Sequence, residues 1–229
     1  MPARAIRANS PESCIGKRAK ARRATAGLEA EIKYAADAAF APAGAALPET
    51  VYRDVYFDTP DDALAAAGRE LRLRACDGTS VLTCKRPPFD AATASKEELE
   101  TVVADGAAMA AILHSLGYAP RIALSKRVRR FRDAFHGLAL DIAVVTVDFA
   151  PETFVEIEHL AHTREAAQAA LPHIRAYAAA HGLTRECPRA YTAMFQANLA
   201  QKEHAPCTRT TPPSPRSEEH TSELQSRSD

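Results

Sequence analysis

The first regular pattern in the chain is an alternation. From Leu28 to Tyr34 it reads Leu-Glu-Ala-Glu-Ile-Lys-Tyr, charged at every second position and apolar between. A β-strand sends successive side chains to opposite faces, so Glu29, Glu31 and Lys33 share one face and Leu28, Ala30, Ile32 and Tyr34 the other. Strand patterns recur along the chain. Val51 to Asp58 is β-rich and stops at Thr59-Pro60. Arg69 to Cys76 and Ser80 to Arg86 flank Asp77-Gly78-Thr79, a hairpin signal. Ser95 to Val103 is a further strand, Arg121 to Arg132 and Leu138 to Phe149 form a second hairpin around His136-Gly137, and Thr153 to His159 is the last strand. Helical patterns are fewer. They are a short turn from Asp61 to Ala67 ended by Gly68, a helix from Gly106 to Leu116 closed by Gly117, a long Ala-rich helix from Arg164 to His181 ending at Gly182, and a short one from Arg189 to Leu199. Ala35 to Pro48, broken by Pro42, Gly44 and Pro48, holds at most a short helix. No internal repeat is evident.

About eight strands joined by short turns predict a mainly β (α+β) fold, either a barrel or a strongly bent antiparallel sheet. The polar faces are unusually charged. Arg72 and Arg74 share a face opposite Leu71 and Leu73; Lys85 aligns with Thr83; Lys96, Glu98 and Glu100 align; Asp141 stands between Leu140 and Ile142; Glu156 and Glu158 align. For one strand, a solvated sheet face is the ordinary explanation. Eight strands with apolar opposite faces need those faces covered, and two or three helices outside can do it. If the sheet closes, the charged faces line a polar lumen. Seven carboxylates (Glu29, Glu31, Glu98, Glu100, Asp141, Glu156, Glu158) then meet at least six cations (Lys33, Arg72, Arg74, Lys85, Lys96, Lys126). Unpaired charges in an interior are costly, and a ligand carrying both metal and phosphate satisfies both signs.

Composition narrows the partners. The 229 residues carry 29 basic and 29 acidic side chains, so the net charge is zero, which argues against bulk binding to nucleic acid or to an anionic membrane. No apolar run is long enough to span a bilayer. The five cysteines (Cys14, Cys76, Cys84, Cys187, Cys207) form no CxxC pair and no zinc spacing, and read as reduced thiols of a cytoplasmic protein. The ends differ from the centre. Residues 1–26 form a basic, Ala- and Arg-rich extension; residues 27–200 hold the domain; residues 201–229 turn to Pro, Ser and Thr, as disordered tails do. Within that tail, Arg216 to Ser226 (RSEEHTSELQS) resembles a translated short-read sequencing adapter, and it is excluded from the fold. His114, His136, His159, His173 and His181 show no ligand spacing and read as surface or core residues.

In order along the chain stand ExExK at Glu29, Glu31 and Lys33; YFDTP at Tyr56 to Pro60; LRLR at Leu71 to Arg74; LTCK at Leu82 to Lys85; ExE pairs at Glu98/Glu100 and Glu156/Glu158; and a late aromatic at Tyr191. On these motifs the chain resembles the CYTH family, the triphosphate tunnel metalloenzymes, over about Leu28 to Phe195. The run from Lys85 to Asp105 followed by ILHSLGYAP is most similar to the class IV adenylate cyclase-like members. The resemblance implies an eight-stranded antiparallel closed barrel, the triphosphate tunnel, with helices packed outside. It further implies Mg²⁺ or Mn²⁺ as cofactor and a nucleoside triphosphate or inorganic triphosphate as substrate. Metal binding falls to Glu29, Glu31, Glu156 and Glu158, with Glu98, Glu100 and Asp141 as further ligands or holders of a metal-bound water. Phosphate binding falls to Arg72, Arg74, Lys85 and Lys126, with Arg129 a second match in SKRVRRF. Lys126 and Arg129 face opposite ways on a regular strand, so that pairing requires a bulge or a reassignment.

Lys33 and Glu31 are the catalytic candidates. Lys33 is a phosphate ligand or a general base, and adjacent carboxylates favour the first role. Lys96 stands where the family often has Arg, keeping the charge without the bidentate fork. Two reactions fit: cyclisation of ATP to cyclic AMP and pyrophosphate, or hydrolysis of tripolyphosphate or thiamine triphosphate. A non-catalytic polyphosphate-binding module is the third reading. A monomer or a homodimer is expected.

Overall fold

The structure is a computed structural model that describes residues 25–42, 46–90, 93 and 95–203. Gly44, Cys14, Cys207, the basic cluster before residue 25 and the tail beyond residue 203 lie outside the described residues. In chain order the elements are β1 (Thr25–Ala36), β2 (Thr50–Asp58), α1 (Ala63–Ala66), β3 (Glu70–Cys76), β4 (Thr79–Lys85), β5 (Lys96–Val103), α2 (Gly106–Ser115), β6 (Ala119–Phe135), β7 (Leu138–Val147), β8 (Ala150–Ala161), α3 (Arg164–Ala180), β9 (Arg185–Glu186) and α4 (Tyr191–Glu203). Every strand expected from alternation is present. The two-residue β9 is too short for any periodic signal, and the described part of Ala35 to Pro48 contains no helix.

The strands form one antiparallel sheet ordered β5-β4-β3-β2-β6-β7-β8-β1-β9, and pairing of β1 with β5 closes eight of them into a barrel. Two hairpins anchor the register. Asp77-Gly78 and His136-Gly137 are two-residue turns in which both residues have positive φ, the geometry that matches strand twist. Closure is brief: β1 and β5 pair only from Thr25↔Glu100 to Glu29↔Lys96. Beyond that seam β1 continues along β8, through Glu31↔Glu158 and Lys33↔Glu156.

The apolar faces are covered from outside, as the alternation requires. Ala30, Ile32, Val155 and Ile157 pack beneath Ala167, Ala170, Leu171, Ile174 and Tyr177 of α3. Leu71, Leu73, Leu82 and Phe57 pack against Leu113 and Met109 of α2. A third cluster joins Tyr52, Tyr56, Leu124, Val145 and Phe154 to Tyr191, Met194 and Phe195 of α4, and several of its members are on the lumen-facing parity of their strands. The interior is therefore divided: apolar where α4 packs, charged elsewhere.

The YFDTP motif has a local physical role. Asp58 ends β2 and is 6% exposed. Its Oδ1 accepts from the backbone N–H of Thr59 at 2.7 Å and of Leu64 at 2.8 Å, and its Oδ2 from that of Ala65 at 2.9 Å. Burial opposes ionisation, but these donors outweigh it and hold the carboxyl pKa below its usual value. Replacing Asp58 by Ala leaves those donors short of an acceptor and is expected to destabilise the protein by about 1–3 kcal/mol, read as a lower urea midpoint. Because the folded pKa is depressed, this stabilisation is present above the unfolded carboxyl pKa and is lost as pH falls through the folded one. Asp58→Asn is accordingly expected to flatten that part of the acid limb of the stability profile.

Candidate active site

The lumen is a cavity of about 1480 Å³. Glu29, Glu31, Lys33, Arg72, Arg74, Lys85, Glu98, Glu100, Lys126, Asp141, Glu156 and Glu158 all line it, so twelve of the thirteen site residues expected from sequence are brought together. Arg129 is the exception. The β6–β7 register runs without interruption from Lys126↔Val147 to Phe135↔Leu138, and the one irregularity on the β2 side lies between Tyr56 and Phe57. No bulge separates Lys126 from Arg129, so they face opposite ways. Arg130, two positions further along Lys126's parity with Val128, lines the cavity in its place.

Carboxylates converge where β1 meets β8. One oxygen each of Glu29, Glu31 and Glu158 lie within 4.8 Å of one another. Backbone pairing explains the approach. The N–H of Glu31 donates to Ser95 Oγ at 3.1 Å, and Ser95 Oγ donates to the Glu31 carbonyl at 3.4 Å. Both backbone groups of Glu31 thus point away from β8, so Glu31↔Glu158 is a non-hydrogen-bonded pair, the kind that brings side chains closest. Ser95, fully buried, also accepts from Thr93 Oγ1 at 2.8 Å. This hydroxyl pair supplies the ladder bonds that β5 no longer provides beyond Lys96.

Electrostatics at the carboxylates favours a cation. Burial first, then Glu156 and Glu158, push the Glu31 carboxyl up to about 8 against the pull of Lys85 and Lys33. Burial, with Glu156 and Asp141, also raises Glu158, although Arg130 lies 3.6 Å away and opposes the shift. Oxygen donors of this kind suit a hard divalent ion such as Mg²⁺ or Mn²⁺. The remaining carboxylates are differently placed. Glu98 forms an ion pair with Lys85; Glu100 lies 3.6 Å from Arg72 and accepts from Thr83 Oγ1 at 2.9 Å; Asp141 faces Arg132 at 3.2 Å at a half-exposed position; Glu156 is held below its usual pKa by Lys126 and Lys33 despite its burial.

The basic wall rests on residues that sequence reasoning passed over. Asp54, 1% exposed, accepts from Arg74 Nε and Nη2, both at 2.7 Å, and lies 3.8 Å from Lys126 Nζ. Burial opposes its charge, but Arg74, Arg72 and Lys126 win and hold the carboxyl well below the ordinary range. Arg74 also lies over the Tyr52 ring at 4.1 Å. Thr83 accepts from Arg72 Nη2 at 3.1 Å, while among the described residues the buried Nε of Arg72 has no hydrogen-bond partner. Lys33 donates to the Arg189 carbonyl, and Lys33 and Lys126 lie 4.1 and 3.8 Å from the centre of the Tyr191 ring. Burial pushes the Lys126 ammonium down to about 7, although Asp54 and Glu156 oppose the shift. Glu70 receives Lys96 at 3.2 Å and Thr192 Oγ1 at 2.9 Å, tying α4 to the tunnel. The signal for Asp54 and Arg130 was strand parity: Asp54 alternates with Tyr52 and Tyr56, and Arg130 with Lys126. No short pattern pointed to Ser95.

Comparison with known proteins gives the family and the fold. The sequence profile of the CYTH domain matches residues 27–184. The chain belongs to the CYTH domain family. Comparison with curated proteins yields no significant match. Among solved structures, the PH1819 protein from Pyrococcus horikoshii is 20% identical with a TM-score of 0.62, covering 76% of this chain and 99% of that one. A candidate adenylate cyclase from Vibrio parahaemolyticus is 19% identical with a TM-score of 0.59, covering 76% and 98%. A candidate adenylyl cyclase from Hippeastrum, described as having a dominant triphosphatase activity, is 18% identical with a TM-score of 0.52, covering 75% and 95%. At such identities these structures share the fold. Among the described residues no helix is long and apolar enough to cross a membrane.

Two outcomes follow from the charges. A cation held by Glu31 would displace its proton, so Mn²⁺ affinity is expected to rise with pH up to about 8 and level off above it, measured by calorimetric titration across that range. Asp54→Ala strands Arg74 and Lys126 without their buried counter-charge. It is expected to cost about 3–5 kcal/mol of stability, read from urea unfolding, well beyond the cost of losing a surface ion pair.

Proposed function

We propose that this protein is a divalent-metal-dependent enzyme acting on a triphosphate group, and that its reaction is the class IV adenylate cyclase one, converting ATP to cyclic AMP and pyrophosphate. One observation carries the reading: Glu29, Glu31 and Glu158 converge within 4.8 Å inside a cavity that also presents Arg72, Arg74, Lys85 and Lys126. Charge balance supports it. Among the described residues nine basic and nine acidic side chains line the cavity, a formal balance. ATP alone adds about four negative charges to that balanced interior, whereas ATP with divalent cations enters close to neutral. The volume of about 1480 Å³ accommodates a substrate larger than the triphosphate alone.

In this reading Glu29, Glu31 and Glu158 hold the metal, with Glu156 beside them and Glu98, Glu100 and Asp141 further along the same lumen. The bound metal supplies charge neutralisation at the phosphate oxygens and orients the triphosphate. Arg72, with an unpartnered Nε, and Lys85 grip phosphate oxygens. Arg74, already shared with Asp54, adds field and orientation. An arriving phosphate anion favours the charged form of Lys126, which burial alone disfavours. Lys33, engaged by the Arg189 carbonyl and the Tyr191 ring, serves as a fixed cation rather than a base. Cyclisation joins the ribose 3′-oxygen to the α-phosphorus as the bond to the pyrophosphate oxygen breaks and the hydroxyl proton passes to water in the lumen; in-line displacement of this kind depends on positioning and electrostatics more than on covalent help from the protein.

The second reading is hydrolysis of tripolyphosphate or thiamine triphosphate. It uses the same carboxylates and cations with water as the nucleophile. The fold it shares with a plant protein described as having dominant triphosphatase activity favours keeping it.

Incubation of the full chain with Mn²⁺ or Mg²⁺ and, in turn, ATP, tripolyphosphate and thiamine triphosphate separates the readings. Cyclic AMP with pyrophosphate is the expected result. Orthophosphate from tripolyphosphate establishes the second reading, and binding without turnover of any of the three overturns both in favour of a non-catalytic polyphosphate-binding module. Glu31→Gln is expected to lower turnover at least about 100-fold, a loss of roughly 2.7 kcal/mol of transition-state stabilisation. Ser95→Ala, which loosens the backbone of Glu31 without touching its carboxylate, is expected to weaken Mn²⁺ binding roughly 10-fold, with Ser95→Thr restoring part of it.

A further inference from the structure

Outside the tunnel, the fold brings together two histidines that are 37 residues apart in sequence. His136 is the first residue of the β6–β7 turn and has φ of 50°, so its backbone is fixed by the turn. Phe135 stacks on its ring at 4.0 Å between centroids, and Phe135 in turn packs edge-on against Tyr177 of α3 at 5.5 Å. The Tyr177 hydroxyl donates to Asp133 Oδ2 at 3.0 Å, tying the same turn region to the helix a second time. His173 lies on α3 one turn before Tyr177. The two imidazoles meet through Nδ1 atoms 3.3 Å apart, with centroids 5.5 Å apart and planes at 88°.

That spacing has a chemical meaning. Two nitrogens bound to one tetrahedral ion at about 2.05 Å lie about 3.3 Å apart, and their imidazole centroids about 5.3 Å apart. The observed 3.3 and 5.5 Å match both closely. A neutral Nδ1–H to Nδ1 hydrogen bond accounts for the contact when no ion is present, and replacing its proton by a metal needs little movement of either ring. His136 is exposed and His173 half-buried, so water can reach the remaining coordination positions. Imidazole nitrogen selects Zn²⁺, Ni²⁺ and Cu²⁺ over Mg²⁺, the reverse of the carboxylates in the tunnel.

We propose that His136 and His173 form a surface chelate for a borderline transition-metal ion such as Zn²⁺ or Ni²⁺, independent of the tunnel, which clamps the β6–β7 turn to α3. The proposal needs no turnover and does not rest on the tunnel's reaction.

The test is Ni²⁺ titration of the full chain in excess Mg²⁺, which occupies hard carboxylate sites, followed by calorimetry and by the thermal midpoint. The expected result is one Ni²⁺ bound, a rise in Tm on binding, and loss of both in His136→Ala and, separately, in His173→Ala, with His159→Ala behaving as the parent. Equal Ni²⁺ binding in His136→Ala, or loss of the signal in Glu31→Gln, overturns the proposal by placing the ion elsewhere. Should His136→Ala lower Tm without metal, the difference in Tm with and without Ni²⁺ remains the deciding quantity: it vanishes if the chelate exists and persists if it does not.

Discussion

Asp54 supplies the charge on which the basic wall of the tunnel depends. A guanidinium and an ammonium inside a barrel repel each other and resist leaving water, and each carries a desolvation penalty of several kcal/mol. The Asp54 carboxylate, fully enclosed, meets Arg74 through two parallel hydrogen bonds and faces Lys126 on the other side. Arg74 is further steadied by Tyr52, and Lys126 by Tyr191. The cations are thus oriented before any anion arrives, and a ligand need not supply the energy to assemble them. The cost of this arrangement is that part of their charge is already answered. Among the described residues, Arg72 keeps a buried Nε without a hydrogen-bond partner.

The opposite wall follows the contrary rule. There, like charges are crowded together, and two of the carboxyls respond by favouring the protonated form. One wall is satisfied and rigid, the other is frustrated and receptive. In the proposed function a divalent cation relieves the second, and a polyphosphate bridges the two. The geometry that sets this contrast is plain strand pairing: a non-hydrogen-bonded register between β1 and β8 brings Glu31 against Glu158, and Ser95 fixes the direction in which Glu31 can point.

Much of this was legible in the sequence because strand parity is a two-valued code. Once Leu28 to Tyr34 is a strand, Glu29, Glu31 and Lys33 must share a face, and the barrel placed all three in the lumen. The same code, applied strictly to SKRVRRF, selects Lys126 and Arg130; the motif match to Arg129 gave way because β6 runs through that stretch without a bulge. Asp54 was hidden by its neighbours, since VYRDVYFD reads as a β-rich run whose mid-strand aspartate looks like a solvated residue. Ser95 and Thr93 carried no signal, because a hydroxyl replacing a ladder bond depends on where β5 starts relative to β1. The His136–His173 contact joins a turn to a helix, and no short-range pattern encodes it.

The brevity of the seam between β1 and β5 bears on how the molecule comes into being. Glu29 and Glu31 are near the start of the described chain, while their partner Glu158 pairs with them only after β2 to β7 have been laid down between. Contacts so distant along the chain form late, because loop closure must precede any gain from them. On a ribosome, β1 emerges early, and its edge toward β8 waits with unpaired backbone groups until β8 follows. The carboxylates of β1 and of β8 therefore come together in one late step, and a chain ending before β8 lacks Glu156 and Glu158 and with them half of the acidic wall.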